Sequence, residues 1–461
     1  MLACRSSCVP FYQEEDYLPE VKHNIPPGGI FRTKKSRSAT RPFAEAARLN
    51  GRIFSRKEEP WNVSLGVMLT LLHYSRLPVL FFTTLILHGC ANYQDALQNY
   101  DDRVPENEIR ALWVVRTEIK TRDSITAVID AMKANGLNVA IVQVRGRGDA
   151  YYHSTLVSPA HGIEEGLDPL AEFIRQARKA DIEVHAWINV FLAADASTFL
   201  ENHSRHLINT RKDWFLRDAK NRSMLDYGRR DYKLANVEGA FLDPANAEVR
   251  AYNLKIVREL LDHYEVDGLH LDYIRYPWSR SNTDYNFGVN SALQFADQNH
   301  RAIEEARLNE IRRNNVSSMV REIRKLARER YPGLILSAAV WPSQSKIQNH
   351  IFQDFPRWLK EDWIDYAYLM AYYDKIELHD SRMEEFFDPT INKRLVIGIG
   401  VFRSPSPRVT GHQLRSARAI QAAGVCYFDA SWFLDSRRKD EIVAHRLWEL
   451  FSERTTPPPL R

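Results

Sequence analysis

The stretch that decides the fold is Tyr264–Pro277, with the sequence YEVDGLHLDYIRYP. It reads as a buried strand of aliphatic and β-branched residues that ends in polar and aromatic ones. Because side chains alternate between the two faces of a strand, Leu269 and Leu271 share one face, and His270 and Asp272 share the other. In a parallel barrel the first face packs on helices and the second points inward. The stretch therefore predicts Asp272 at the inner, C-terminal end of a barrel strand.

Asp272 is the first candidate for a catalytic group, because (β/α)₈ barrels carry their chemistry at the C-terminal ends of the strands. The alternative is a carboxylate that forms a structural salt bridge with Arg275, since ion-pair networks also perturb carboxylates. The stretch alone leaves both interpretations open.

The rest of the chain repeats an alternation of strand and helix. Eight strand-like runs span 110–117, 137–144, 182–190, 266–273, 334–341, 364–372, 394–401 and 424–430. Amphipathic helix-like segments span 124–135, 169–180, 245–264, 317–331, 355–361, 382–392, 411–423 and 439–451. Eight strands, each followed by a helix, predict an α/β fold of the (β/α)₈ (TIM) barrel type over residues 109–452. A doubly wound sheet is the alternative, and the regularity of the eight units favours closure.

Two connections are longer than turns. They are Phe191–Leu242 after the third strand and Pro277–Arg312 after the fourth. Loops longer than roughly 12–15 residues are usually functional or disordered. Both follow strands, so we expect them on the catalytic face, where their aromatic side chains would wall a groove for a long polymer.

The first 108 residues indicate export and not a folded domain. Residues 1–67 lack apolar periodicity, which predicts a disordered segment or an over-extended reading frame with Met68 as the biological start. Residues 68–90 join a short basic segment to an apolar run and end in Leu87-His88-Gly89-Cys90, which resembles a bacterial lipoprotein signal. That resemblance implies a lipid anchor on Cys90 at the periplasmic face of the cell envelope; an uncleaved membrane anchor is the alternative. Residues 91–108 read as a polar linker and 453–461 as a disordered tail.

Composition narrows the choice of partners. The chain carries 63 basic and 59 acidic residues, which is too balanced for nucleic-acid binding by bulk electrostatics. Its four cysteines are Cys4, Cys8, Cys90 and Cys426, and their spacing predicts neither a metal site nor a disulfide framework.

Paired carboxyl groups are the chemistry that the strand ends offer best. Glycoside hydrolysis needs two of them about 5–10 Å apart, one as proton donor and one as nucleophile or base. Asp272 is the best first member, and Glu118, Asp149, Asp374 and Asp429 compete to be the second. Asp243-Pro244 is interpreted instead as the N-cap and first residue of a helix.

Other chemistries fit less well. The chain has no Gly-x-Ser-x-Gly elbow, no Walker loop and no His-Glu-x-x-His pair. His185 and His270 lie on separate predicted strands and could meet in space, so a metal-dependent hydrolase or deacetylase built on them is the weaker alternative. No cofactor is predicted.

Several motifs together resemble the glycosyl-hydrolase-like family 10 proteins, which are bacterial (β/α)₈ proteins. The motifs are Arg110-Ala111-Leu112-Trp113, His185-Ala186-Trp187-Ile188-Asn189, Leu242-Asp243-Pro244 with Glu248-Val249-Arg250, and Asp267–Pro277. The resemblance covers about residues 108–452 and implies a glycosidase that acts on a cell-envelope or extracellular polysaccharide. Some relatives act on peptidoglycan glycan strands stripped of their peptides, and a lipid anchor would place this barrel beside the wall.

The resemblance also implies roles for individual residues. Asp272 matches the family's motif carboxylate, and Glu118 is preferred as the second carboxylate because many relatives carry a polar or acidic residue near the end of the first strand. We expect Trp187 and Trp341 to stack on sugars, and His270 and nearby arginines to tune the protonation of Asp272. The further expected substrate-binding residues are His185, Asn189, His270, Tyr273, Arg275 and Arg145. The rival hypothesis is a glycan-binding barrel without catalysis, which needs no second carboxyl near Asp272.

Overall fold

The computed structural model describes residues 93–195, 204–218, 220–278, 305–403, 405–435, 451 and 455–458. The predictions for residues 1–92, including the signal at 68–90 and the lipidation of Cys90, lie outside the described residues. The predicted last helix at 439–451 also lies outside them, apart from Phe451.

Eight parallel strands close into a barrel, because the first strand pairs with both the second and the last. This confirms the predicted (β/α)₈ fold. In chain order the barrel strands are β1 (Ile109–Val114), β2 (Val139–Arg145), β3 (Glu183–Asn189), β4 (Gly268–Asp272), β5 (Ile335–Val340), β6 (Tyr366–Leu369), β7 (Leu395–Ile399) and β8 (Gly424–Phe428).

Helices follow the strands, and several begin at capping residues that the sequence supplies. Thr121 and Ser124 form a capping box at the first helix, and Asp168 caps the second helix just before Pro169. The main helices are α1 (Arg122–Ala134), α2 (Pro169–Arg178), α3 (Ala247–His263), α4 (Glu305–Arg330), α5 (Phe355–Lys360), α6 (Ile376–Phe386), α7 (Pro407–Ala419) and α8 (Ala430–Leu434).

The predicted alternation along β4 is confirmed. Leu269 and Leu271 are fully buried in the apolar layer between barrel and helices. His270 and Asp272 face the barrel interior, since His270 contacts side chains of β1 and β5. The hydrophobic effect thus fixes the register, because a slip by one residue would exchange the two faces.

The connection after β3 contains regular structure in its described residues. Its ends form a two-stranded hairpin of Leu192–Ala194 and Ala240–Phe241, and it carries the short helices Leu207–Thr210 and Arg229–Ala235. The connection after β4 is shorter than expected, because α4 begins at Glu305 and not near residue 317. Residues 279–304 of that connection lie outside the described part of the chain.

The interpretation of Asp243 as a helix N-cap is wrong. Helix α3 begins at Ala247, and its N-cap is Asn246, whose side-chain oxygen accepts the backbone N–H of Glu248 at 2.8 Å. Asp243 lies one turn earlier, is 2% exposed and accepts the N–H of Ala245 at 2.9 Å. The Asp-Pro pair therefore belongs to the loop that leads into the helix.

Both ends of the described chain contact the barrel. Residues 93–98 are helical, and the hydroxyl of the buried Tyr93 lies 2.7 Å from Asp380 Oδ1 and 3.0 Å from Ser416 Oγ. Near the other end Thr456 pairs with Asn107. The described parts of the predicted linker and tail are therefore hydrogen-bonded to the barrel domain, whereas the sequence predicts a polar linker and a disordered tail. In the described parts of the chain, no helix has both the length and the apolar character that a membrane crossing needs.

Candidate active site

The C-terminal ends of β3 and β4 bring four of the predicted site residues together. In the parallel register Trp187 lies opposite His270, and Asn189 lies opposite Asp272. Side chains that point inward from a barrel stack in layers, so Asn189 and Asp272 belong to the layer at the mouth. The structure therefore places Asp272 where the sequence predicts it.

Asp272 is half-buried and surrounded by a small set of donors and charges. The backbone N–H of Tyr273 lies 2.6 Å from Asp272 Oδ1. The indole N–H of Trp187 also faces the carboxyl and donates to Asn189 Oδ1 at 3.0 Å. Burial raises the pKa of Asp272 to about 6, and the charge of Glu238 adds to this, while Arg275 and the two N–H groups oppose it. A carboxyl group with such a pKa can hold a proton in mildly acidic solution and release it, as a general acid requires.

His185 and His270 lie one layer or more below the mouth, because each precedes its strand's last inward residue. They are 1% and 0% exposed, respectively. Burial holds the pKa of His270 well below its ordinary value, and the neighbouring His185 lowers it further. Both rings lie in the barrel interior, where a polymer cannot contact them. This differs from the expectation that they bind substrate.

Arg145 is also buried, although we expected it to contact substrate. The register between β2 and β3 shifts between Gln143 and Arg145, which turns the last side chain of the strand. Its guanidinium donates to the carbonyl of Asn189, and its charge faces the phenols of Tyr152 and Tyr252. Arg145 is 0% exposed and therefore stabilises the end of β3 instead of contacting a substrate.

Glu238 is the neighbour of Asp272 that the sequence did not reveal. It lies in the hairpin connection after β3, and its Oε1 accepts a hydrogen bond from Arg275 Nη2 at 2.7 Å. The predicted structural pair of Arg275 with Asp272 is thus replaced by a pair with Glu238. No motif marks Glu238; the one sequence signal was its place in a connection too long for a turn.

Aromatic rings line the same side of the mouth. Trp341 stacks on Trp278 with ring centroids 5.4 Å apart and planes 7° apart, so Trp278 covers one of its faces. The ammonium group of Lys346 lies 5.3 and 5.7 Å from the two ring centroids. The Tyr273 ring packs edge-on against Phe241 at 5.8 Å. Stacked indoles of this kind form an apolar wall on which sugar faces can rest.

Glu118 lies in the turn Arg116–Ile119 that follows β1. Burial raises its pKa, and the charge of Asp429 contributes to the rise. Asp429 is itself buried, has a raised pKa for that reason, and caps α8 through a bond from the Ser431 N–H at 2.9 Å. Two carboxyl pairs thus occupy the rim, Asp272 with Glu238 and Glu118 with Asp429.

No metal-binding set was found among the residues that the structure describes, which contain no group of three or more His, Cys, Asp or Glu side chains arranged to hold an ion. The nitrogens of His270 already contact Ser337 and Trp113, at 2.9 and 3.3 Å. The two histidines that could have formed a metal centre are therefore neighbours inside a packed barrel.

The fold resembles solved glycosidase structures. The PgaB (BpsB) glycoside hydrolase domain from Bordetella bronchiseptica superposes with a TM-score of 0.55 at 13% identity, covering 76% of this chain and 99% of that one. Alpha-L-fucosidase isoenzyme 2 from Paenibacillus thiaminolyticus gives a TM-score of 0.53 at 14% identity, covering 75% and 48%. At these identities the likeness concerns the fold alone.

Sequence comparison identifies relatives and a family. The Glycosyl hydrolase YngK of Bacillus subtilis is 24% identical over 302 residues, which are 58% of this chain and 54% of that protein. The Glycosyl hydrolase DigH of Escherichia coli K12 is 23% identical over 313 residues, covering 60% and 65%. The chain thus spans between half and two-thirds of the length of these curated relatives. Since residues 108–402 of the 461 match the family described as Glycosyl hydrolase-like 10, the chain belongs to that family.

Proposed function

We propose that this protein is a glycoside hydrolase that cleaves a cell-envelope or extracellular polysaccharide, with Asp272 as its proton donor. The observation that carries the proposal is the place of Asp272, half-buried at the inner end of β4, with a pKa raised to about 6 by burial. Membership of a glycosyl-hydrolase-like family and a barrel like those of glycosidases support the same reaction class.

The proposed reaction uses acid catalysis by the Asp272 carboxyl group. Its proton would pass to the glycosidic oxygen as the bond between that oxygen and the anomeric carbon breaks. The anomeric carbon would then bond to the oxygen of a water molecule, directly or after a glycosyl intermediate on the second carboxylate, and the proton of that water would return to a carboxylate. Glu118 is the proposed second carboxylate. Burial and the charge of Asp429 raise its pKa, so this group must lose its proton before it can act as a base or nucleophile. The wall of Trp278 and Trp341 would bind sugar faces beside this centre.

Peptidoglycan glycan strands stripped of their peptides are the proposed substrate. The test is to incubate the protein with such strands and to analyse released oligosaccharides by mass spectrometry. Wild type should release them, whereas Asp272→Asn should release none while it folds normally. The control Asp365→Asn changes a carboxyl group at the other end of the barrel, where it accepts the backbone N–H of Leu336, and should stay active. Full activity of Asp272→Asn would refute the assignment.

A second candidate is a glycan-binding barrel without catalysis. Two observations favour it: the carboxylate of Glu238 is already paired with Arg275, and Glu118 is faced by a second acidic group, Asp429, instead of a positive charge that would hold it ionised. Under this hypothesis neither wild type nor variant would release oligosaccharides, and both would bind strands in a pull-down experiment.

We also propose export and lipid attachment at Cys90, which the signal at 68–90 supports. Mass spectrometry of the mature protein should find a lipid-modified Cys90 at its N-terminus, and Cys90→Ser should lose the lipid. Peptides from residues 1–67 in the mature protein would contradict the proposed start at Met68.

A further inference from the structure

The hairpin after β3 holds Glu238 in a fixed place beside the end of β4. Its strands pair Leu192 with Phe241 and Ala194 with Ala240. The chain between them passes so close that a Cβ atom on Gly239 would lie 2.1 Å from the carbonyl oxygen of Ala194. Glycine is therefore required at position 239, which fixes the path of the backbone next to Glu238.

Arg275 is held as firmly as Glu238. Its Nη2 donates to Glu238 Oε1 at 2.7 Å, and its Nη1 donates to the carbonyl of Tyr276 at 3.2 Å. Aromatic rings enclose the guanidinium, with centroids 4.8 Å away for Tyr273 and 5.4 Å away for Phe241. An arginine that is 3% exposed and bound in this way is a fixed charge and not a mobile one.

Glu238 bonds to Arg275 through one of its two carboxylate oxygens. Oε2 is buried and accepts no hydrogen bond from the described residues. A structural carboxylate in a folded core is expected to have both oxygens hydrogen-bonded. The charge of Glu238 is thus held by one hydrogen bond to Arg275, close enough to Asp272 to act on it.

We propose that Glu238 is a positioning residue for Asp272, and that its pair with Arg275 sets the electrostatic field in which the Asp272 carboxyl holds its proton. This inference rests on the proposed function, in which Asp272 is the proton donor. It adds a residue that neither the family motif nor the strand-end pattern contains.

The charges around Asp272 act in opposite directions. Arg275 stabilises the carboxylate form, Glu238 stabilises the protonated form, and the N–H groups of Tyr273 and Trp187 favour the carboxylate. Removing the charge of Glu238 takes away a group that favours protonated Asp272, and it leaves the positive charge of Arg275 uncompensated. Both changes weaken the hold of Asp272 on its proton. A merely structural role for Glu238 predicts no such directed change.

The test is the titration of Asp272, read by carbon NMR of the aspartate carboxyl groups in the whole protein and assigned by comparison with Asp272→Asn. Glu238→Gln keeps the shape of the side chain and an oxygen that can accept from Arg275. We expect its Asp272 midpoint to fall by on the order of one pH unit, a tenfold weaker proton affinity. An unchanged or higher midpoint would overturn the proposal.

Two variants control for indirect effects. Glu238→Asp retains the charge and should bring the Asp272 midpoint back towards the wild-type value. Asp365→Asn removes the carboxylate of a comparable pair at the other end of the barrel, where Asp365 Oδ1 lies 2.6 Å from Arg324 Nη2. It should leave the Asp272 midpoint unchanged; a shift as large as that of Glu238→Gln would contradict the proposal.

Arg275→Gln provides a second test with the opposite sign. Removing the charge that stabilises the Asp272 carboxylate should raise the Asp272 midpoint. An unchanged or lower midpoint would contradict the proposal. Because the NMR titration needs no substrate, failure of this inference is distinct from failure of the proposed function, which is read from oligosaccharide release.

Discussion

The indole N–H of Trp113 lies 3.3 Å from Nε2 of His270, at the centre of the barrel. An indole N–H can only donate, so Nε2 of His270 accepts and the ring carries its proton on Nδ1. That nitrogen lies 2.9 Å from the Ser337 hydroxyl. A neutral histidine thus links β1, β4 and β5 beneath the layer that contains Asp272.

This neutral His270 predicts a loss of stability in acid. Because burial lowers its pKa, protonation favours the unfolded chain. Its contribution to stability is complete above about pH 6.5 and is lost as the pH falls towards the lowered pKa. His270→Gln does not titrate, so its free energy of unfolding should fall less between about pH 7 and pH 5 than that of wild type. Urea unfolding followed by circular dichroism measures this.

The control for that experiment is His263→Gln, since His263 is exposed at the end of α3. Its unfolding free energy should follow the wild-type pH dependence. Parallel curves for wild type and His270→Gln would show that His270 does not carry the acid sensitivity.

Asp272→Asn should make the folded protein more stable at neutral pH while it removes activity. The pKa of Asp272 is raised, so its contribution to stability is complete below its ordinary pKa and is lost as the pH rises through about 6. Asparagine mimics the protonated form without this loss. Allowing for partial solvent screening, we expect a gain of about 1–2 kcal/mol above pH 7 and none near pH 4. Thermal unfolding at the two pH values measures it.

An opposite case controls the sign of the Asp272 effect. The pKa of Asp262 is lowered by its bonds to Tyr331 and Arg330, so Asp262→Asn should not be stabilising at neutral pH. If both asparagine variants gained stability equally, the cause would be general and not the burial of Asp272.

Trp187→Phe should raise the pH at which activity declines. The indole N–H favours the Asp272 carboxylate, so its removal strengthens the hold of that carboxyl on its proton. A proton donor loses activity as the pH rises through its pKa; this limb of the pH–rate profile should move upward by on the order of half a unit. Trp214→Phe loses a comparable N–H bond, 3.0 Å to Glu248 Oε2, and should leave the limb in place. A downward move in Trp187→Phe would contradict the role given to the indole.

Gly268→Ala should destabilise the barrel from within. A Cβ atom on Gly268 would lie 2.6 Å from Cγ of His185, which is itself enclosed by the strands. Overpacking of this kind costs about 1–3 kcal/mol. Gly411→Ala is the matched control, because a Cβ atom there meets nothing within 4 Å and Gly411 lies inside helix α7. That variant should be neutral or stabilised by up to about 1 kcal/mol. Equal effects in urea unfolding would refute the packing argument.

Sequence by itself determined the barrel and the position of its central strand. The period-two alternation in Tyr264–Pro277 assigns Leu269 to the apolar layer and Asp272 to the inside, and the eightfold repeat of strand and helix closes the sheet. These features depend on local side-chain periodicity and on burial of apolar surface, so they can be read from neighbouring residues.

Only the tertiary structure decided which groups surround Asp272. The partner of Arg275 is Glu238, 37 residues earlier in the chain, and a hairpin that no motif marks brings the two together. The register shift that buries Arg145 and the stacking of Trp278 on Trp341 likewise depend on the packing of separate segments. Charge interactions and ring contacts act through space between distant parts of the chain, and for that reason the protonation of Asp272 follows from the folded arrangement and not from its motif.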